Sequence, residues 1–205
     1  MGPTQRAHLG GPVLGAVLGW VVTTPARAAI PEEAHRSAWA VILDDGVRVR
    51  CGDWKADKWC QADAILPGST EAVLALMSDV EDLPALFPRM LTMRRVEDDI
   101  LHQVIDYPFP YDDRDIVARF TWSHTESAHV LEWSSVTQPV VPTVGVRLTG
   151  AEDRFELRPR PDGRTDLRYV WRGELGPGVP DWVRPFAWKG QAREVVDGLS
   201  QGLAR

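Results

Sequence analysis

The stretch YPFPYDDRDIVARFTW, residues 107–122, sets two prolines and three aspartates ahead of a clean alternating strand. Side chains on a strand point to opposite faces in turn. Ile116, Ala118, Phe120 and Trp122 therefore share a face with Arg114, while Asp115, Val117, Arg119 and Thr121 share the other. The first face is apolar and is expected to point inward, with Asp115 facing out. An arginine on an apolar face must be paired or hydrogen-bonded, because an isolated buried charge is prohibitively costly. Three uses are open: a structural partner such as Gln103, Asp106 or Asp112, the polar head of a bound molecule, or a position at the sheet rim that reaches water.

Working outward, a period of two extends from about residue 90, with strand candidates at 90–97, 100–107, 114–123, 129–137, 144–158 and 166–175. The last is the clearest. Leu167, Tyr169 and Trp171 alternate with Arg168, Val170 and Arg172, as in an antiparallel sheet wetted on one side. Upstream, PEEAHRSAWAVIL begins with Pro31 and two acids and predicts a helix presenting Trp39, Ile42 and Leu43 on one side. Two short strand-like runs carrying Cys51 and Cys60 follow, and then Ser69 or Thr70 caps EAVLALMSDV. EDLPALFP is a broken helical turn stopped by Pro88. The C-terminal stretch spaces Trp182, Val183, Phe186, Ala187, Ala192, Val195, Val196, Leu199 and Leu203 as a helical stripe, with a kink predicted at Pro185 and Gly190. A curved antiparallel sheet wrapped around this long C-terminal helix buries every apolar face, which is an α+β architecture.

The N-terminus reads as an export signal. MGPTQRAHLG carries Arg6 and no acid, GPVLGAVLGWVV is apolar, and Ala26 and Ala28 supply the small residues of a cleavage site. The expected cut after Ala28 leaves a single domain at 29–205, either periplasmic or secreted. An uncleaved N-terminal anchor is the competing reading, against which the run is short for about 30 Å of hydrocarbon. Loss of Arg6 and Arg27 moves the formal charge from −6 to −8. An acidic chain without a basic block is unsuited to a phosphate backbone, so nucleic acid is not expected as a partner. Cys51 and Cys60 sit on the same face of their two runs. In an oxidising compartment they are expected to form a disulfide, the alternatives being free buried thiols or part of a metal site.

Trp122, Trp133, Tyr169 and Trp171 fall on inward parities of successive strands, and Trp182 and Trp188 on the last helix. Aromatic stripes are usually core. Together these line whatever space the sheet and helix enclose, and an aromatic cavity with one or two polar groups is the usual form of a small-ligand site. No metalloprotease, nucleophile-elbow, phosphate-loop or dinucleotide motif occurs, and no metal or cofactor is implied.

Three motifs together resemble the START family, the StAR-related lipid-transfer domains of the helix-grip fold. YPFPYDDRDIVARF resembles that family's Pro-x-Pro and Arg-Asp strand opening. QPVVPTVGVRLTGAEDRFELRP is similar to its proline-bearing loop followed by a Val-Arg strand, and GELGPGVPDWVRPF to the lead-in of its C-terminal helix. The resemblance implies a tunnel between sheet and helix for one lipid, sterol or other hydrophobic molecule, gated by residues 138–145 and by the helix from Pro180. It also implies that Arg114 matches the family arginine that can project into the tunnel. The ligand-binding set read this way is Arg114, Ile116, Ala118, Phe120, Trp122, Trp133, Tyr169, Trp171, Trp182 and Phe186, with transient membrane contact during exchange.

A carrier of hydrophobic molecules is the leading expectation. A cyclase- or hydrolase-like enzyme using the same cavity is the alternative, favoured by His102 lying near Arg114 and an acid inside it. A solid core would favour an interaction protein. Fold alone does not decide among these.

Overall fold

The computed structural model describes residues 30–138 and 140–205, so the export-signal reading of 1–28 falls outside the described residues. A short helix, α1 (Glu33–Arg36), leads into β1 (Ala40–Asp44), β2 (Arg48–Trp54) and β3 (Asp57–Leu66). Helix α2 (Thr70–Ser78) and a 3-10 turn (Leu83–Ala85) then precede β4 (Met90–Glu97), β5 (Ile100–Ile105), β6 (Arg114–Thr125) and β7 (Ala128–Ser135). The chain closes with β8 (Val146–Arg147), β9 (Glu152–Pro159), β10 (Thr165–Arg172), a 3-10 turn (Asp181–Val183) and α3 (Arg184–Gly202). Across the sheet the order is β1-β2-β3-β10-β9-β7-β6-β5-β4, all antiparallel, with β8 parallel to β6. Insertion of β10 between β3 and β9 joins the first hairpin to the later strands, so one curved sheet faces α2 and α3.

Burial on that inner face explains the arrangement. Val49, Ala62, Leu66, Leu157 and Leu167 of the sheet and Ala192 and Leu199 of α3 are almost wholly buried in one core. Ser69 caps α2 by accepting from the Ala72 N–H at 3.3 Å. At Gly198 a side chain would stand 2.5 Å from the Leu86 carbonyl and 2.9 Å from the Phe87 ring, so glycine lets α3 close on the segment after the first 3-10 turn. Cys51 and Cys60 lie directly opposite on β2 and β3 and are disulfide-bonded. Closing a ring of about ten residues stabilises by about 2–3 kcal/mol.

Three expectations are corrected. Helix α1 ends at Arg36, and residues 40–44 form an edge strand paired with β2. The turn at Asp45-Gly46, with Gly46 at φ +88°, returns the chain, and pairing of the β-branched Val41-Ile42 run outweighs its helical spacing. The 144–158 candidate divides into β8 and β9, with a break over 148–151. Pro185 occupies the first turn of α3, where no N–H is required, so it begins the helix instead of kinking it. Among the described residues no helix is long and apolar enough to cross a membrane.

Candidate ligand-binding site

Between the inner sheet face and the helical layer lies a cavity of about 140 Å³. Leu83 and Phe87 close it from the helical side, and Ile105, Ile116 and Phe155 from the sheet. Its polar centre is built by strand parity. On β9, Asp153 shares the inward face with Phe155, and on β10 Tyr169 stands opposite Phe155. Tyr169 stacks between Phe155 and Trp171, with ring centroids 4.4 and 4.6 Å away, which fixes its phenol. The Tyr169 hydroxyl donates to Asp153 Oδ1 at 3.1 Å and accepts from Gln191 Nε2 of α3 at 2.7 Å.

Burial pushes the Asp153 carboxyl up to about 7, with the Tyr169 hydrogen bond opposing the shift and the Glu152 charge adding to it. Burial likewise raises the Tyr169 phenol well above its usual range. The linkage has a definite sign. From the ordinary value of 3.8 up to about 7, folded Asp153 holds a proton that the unfolded chain has released. We predict that stability falls as pH rises through that window, by at most about 1.4 kcal/mol per pH unit, and levels above it. Urea unfolding of the wild type and Asp153→Asn from about pH 5 to about pH 8 checks this. Parallel pH profiles for the two proteins would refute it.

The lining cations are already engaged. Arg89 Nε reaches Glu194 Oε2 at 2.5 Å, and Arg172 Nη2 reaches Asp57 Oδ1 at 2.6 Å. Among the described residues no three His, Cys, Asp or Glu side chains are placed to hold a metal ion. A larger, open depression of about 610 Å³ lies on the opposite sheet face. There Arg50 and Arg168 both bind Asp63, and Arg158 binds Glu156, so its charges largely satisfy one another.

At one end of the cavity, two connecting segments converge on Arg114, which is 1% exposed. Its Nε donates to the Leu175 carbonyl at 2.9 Å, Nη2 to the Pro177 carbonyl at 3.3 Å, and Nη1 to the Asp112 carbonyl. The guanidinium also lies 4.4 Å from the Tyr107 ring centroid. Arg114 thus ties the 107–113 loop to the approach to α3.

Its neighbour Asp115 ties down a third segment, the loop leading into β8, from the other sheet face. Asp115 Oδ2 accepts from the Val144 N–H at 2.5 Å and from Arg147 Nη2 at 3.0 Å, and Arg147 Nε stands 2.5 Å from Oδ1. His102 Nε2 lies 3.2 Å from the same Oδ1. Arg94 Nε donates to His102 Nδ1 at 3.0 Å, which assigns the imidazole proton to Nε2. Burial holds this histidine below its usual range, with Asp115 acting in the opposite direction. Asp115 is fully buried, contrary to the expectation that it faces water, because β8 and the loop before it cover its face.

No family model matches the chain. An uncharacterised protein of Pseudomonas aeruginosa is 22% identical over 176 residues, covering 82% of this chain and 87% of that protein. A Rho GTPase-activating protein 7 of Canis lupus familiaris is 27% identical over 117 residues, 56% of this chain but 11% of that protein. Among solved structures, human STARD10 superposes with a TM-score of 0.70 at 13% identity, over 88% of this chain and 83% of that one. The StAR-related lipid transfer protein of Xanthomonas axonopodis gives 0.67 at 17% identity, over 82% and 99%. The fold is that of a START domain.

Within this START fold, Ile116, Trp133 and Tyr169 of the expected binding set line the cavity. The other seven are not among its lining residues. Arg114 is turned aside by the three carbonyls that use its donors. Ala118 packs beside Ile116 and Leu148 in a satellite cluster, and Trp171 is buried behind Tyr169. Phe120 and Trp122 lie farther along β6, partly buried against the main core. Trp182 and Phe186 are 73% and 68% exposed, because α3 begins beyond the shelter of the sheet. His102 points to the opposite sheet face, away from the cavity, where it meets Asp115 instead of Arg114. The sequence reading missed Asp153, although its parity with Phe155 marks it as inward. It also missed Gln191, whose place in a mixed helical stripe gave no signal.

Proposed function

We propose that this protein is exported to the periplasm or secreted, and that it carries one hydrophobic molecule, a lipid or sterol-like compound, in the cavity between sheet and α3. The observation that supports this is a largely apolar space beneath three segments held together through Arg114 and Asp115. At about 140 Å³ the space is smaller than the roughly 300–1,000 Å³ of typical small-molecule sites. Cargo therefore requires the 138–145 loop and the start of α3 to move apart as a gate. Each converging segment carries exposed apolar residues: Phe109 at 98%, Val140 at 79%, and Trp182 and Phe186 on the helical side. Such a rim fits transient contact with a lipid surface during exchange.

Native mass spectrometry of the protein purified from its host's export compartment tests the reading, with organic extraction of anything bound. A one-to-one adduct released as a hydrophobic molecule is the expected result, together with transfer of that molecule between vesicles that slows in Trp182→Ala/Phe186→Ala. An empty protein that also takes up no fluorescent lipid would sink the carrier reading.

A further inference from the structure

The polar groups inside the cavity are unevenly satisfied, and the imbalance has a definite chemical sense. Both lining arginines are engaged with carboxylates, Arg89 with Glu194 and Arg172 with Asp57. Two other lining carboxyls have no cation among the described residues. Asp153 receives only the Tyr169 hydroxyl, and the buried Oε2 of Glu174 has no hydrogen-bond partner among the described residues. Above the Asp153 transition, an anionic head entering here would meet like charges and, among the described residues, no unspent positive one.

Two further side chains are more than nine-tenths buried and unpartnered. Trp133 is 7% exposed, and its Nε1–H has no acceptor among the described residues. Gln103 is 5% exposed and lines the same cavity, and its side-chain amide bonds to no described residue. Buried polar groups in folded proteins nearly always have partners, and each exception calls for an explanation. A ligand is such an explanation when the groups share one cavity. Trp133 of β7 and Asp153 of β9 are also direct cross-strand partners on the inward face. A donor in need of an acceptor therefore stands beside an acceptor with spare capacity.

One small group meets both needs at once. A hydroxyl donates one hydrogen bond and accepts others. A carboxylate or phosphate monoester only accepts when ionised, and an ammonium only donates. We propose that the cavity selects an apolar cargo bearing a hydroxyl head, seated between Trp133 Nε1 and the Asp153 carboxyl with Gln103 as a third contact, and rejects free carboxylate and phosphate heads. The proposal rests on the carrier reading above and specifies its cargo.

The test compares a long-chain alcohol, the carboxylic acid and the amine of the same chain length, and the alcohol's phosphate monoester. Each is titrated as a competitor against a fluorescent lipid bound to the full domain, at a pH above the Asp153 transition. The alcohol is expected to displace the probe at least tenfold better than the acid or the phosphate, and better than the amine. Asp153→Asn keeps a carbonyl acceptor but removes the charge, so the alcohol-to-acid ratio should drop severalfold. Trp133→Phe keeps the ring and deletes the donor, so the alcohol should weaken while the amine is unchanged. An acid or phosphate that competes as well as the alcohol overturns the proposal and leaves the carrier reading standing. So does an amine that competes best, or a ratio unmoved by Asp153→Asn in a variant with wild-type melting. Failure of the fluorescent lipid and all four competitors to bind removes the carrier reading and this proposal together.

Discussion

Asp115→Asn is expected to lose about 3–5 kcal/mol of stability, the usual cost of removing one partner from a buried ion pair. The carboxylate it replaces is completely buried and holds Arg147, the Val144 N–H and the edge of His102. Asparagine keeps the shape but leaves the Arg147 guanidinium without its counter-ion. It also places an amide N–H₂ where one of the existing donors points. Among the described residues, only the Val141 and Pro142 carbonyls, which Arg147 Nη2 also contacts, remain to hold that side chain. At about 2–4 °C per kcal/mol for a domain of this size, the melting temperature should fall by roughly 10 °C. The loss should be spatially uneven. Amide hydrogen exchange should accelerate most over 140–148, while β2 and β3, stapled by their disulfide, stay protected. A variant that melts within a degree or two of the wild type, with unchanged exchange in that segment, would show that Asp115 does not latch the loop.

The same position shows how far strand parity carries and where it stops. Alternation along 114–122 correctly put Ile116 on the inner face and Arg114 beside it. Parity says which side of a sheet a residue occupies, however, and not whether that side is wet. Asp115 is buried because a two-residue strand, Val146–Arg147, lies parallel to β6, and two residues carry no readable period. Reading 144–158 as one strand hid this break and, with it, the independent register of β9 that points Asp153 inward. At the N-terminus, Val41-Ile42-Leu43 fits either period, and only the partner strand β2 decides it. What was legible came from long, regular runs: the later strands, the apolar stripe of α3 and the cysteine pair. Trp182 and Phe186 belong to that stripe, yet stand clear of the core, since a stripe records which side of a helix is apolar and not where its covering layer ends.

Arg114→Met is expected to be the second severe variant, and for a reason opposite to the one the family resemblance suggests. A head-group ligand would face the cavity with donors to spare. Here the three donor nitrogens are directed at the carbonyls of Asp112, Leu175 and Pro177, and the plane of the group rests on Tyr107. Methionine can replace the packing but none of the donors. A buried acceptor left unsatisfied costs about 1–3 kcal/mol, so the loss of three should destabilise by about 3 kcal/mol or more, tempered where water reaches the exposed Pro177-Gly178 turn. Arg114→Lys keeps the charge but cannot serve three divergent carbonyls from one nitrogen, and it should recover only part of the loss. Cargo affinity should fall only as far as the closed arrangement is depopulated, so the two variants should rank alike in stability and in binding. The decisive comparison is urea unfolding beside lipid binding for both. An Arg114→Met protein of wild-type stability that no longer holds cargo would return this arginine to the ligand. A destabilised protein that still binds when kept below its melting transition makes it the tie that joins the start of β6 to the approach of α3.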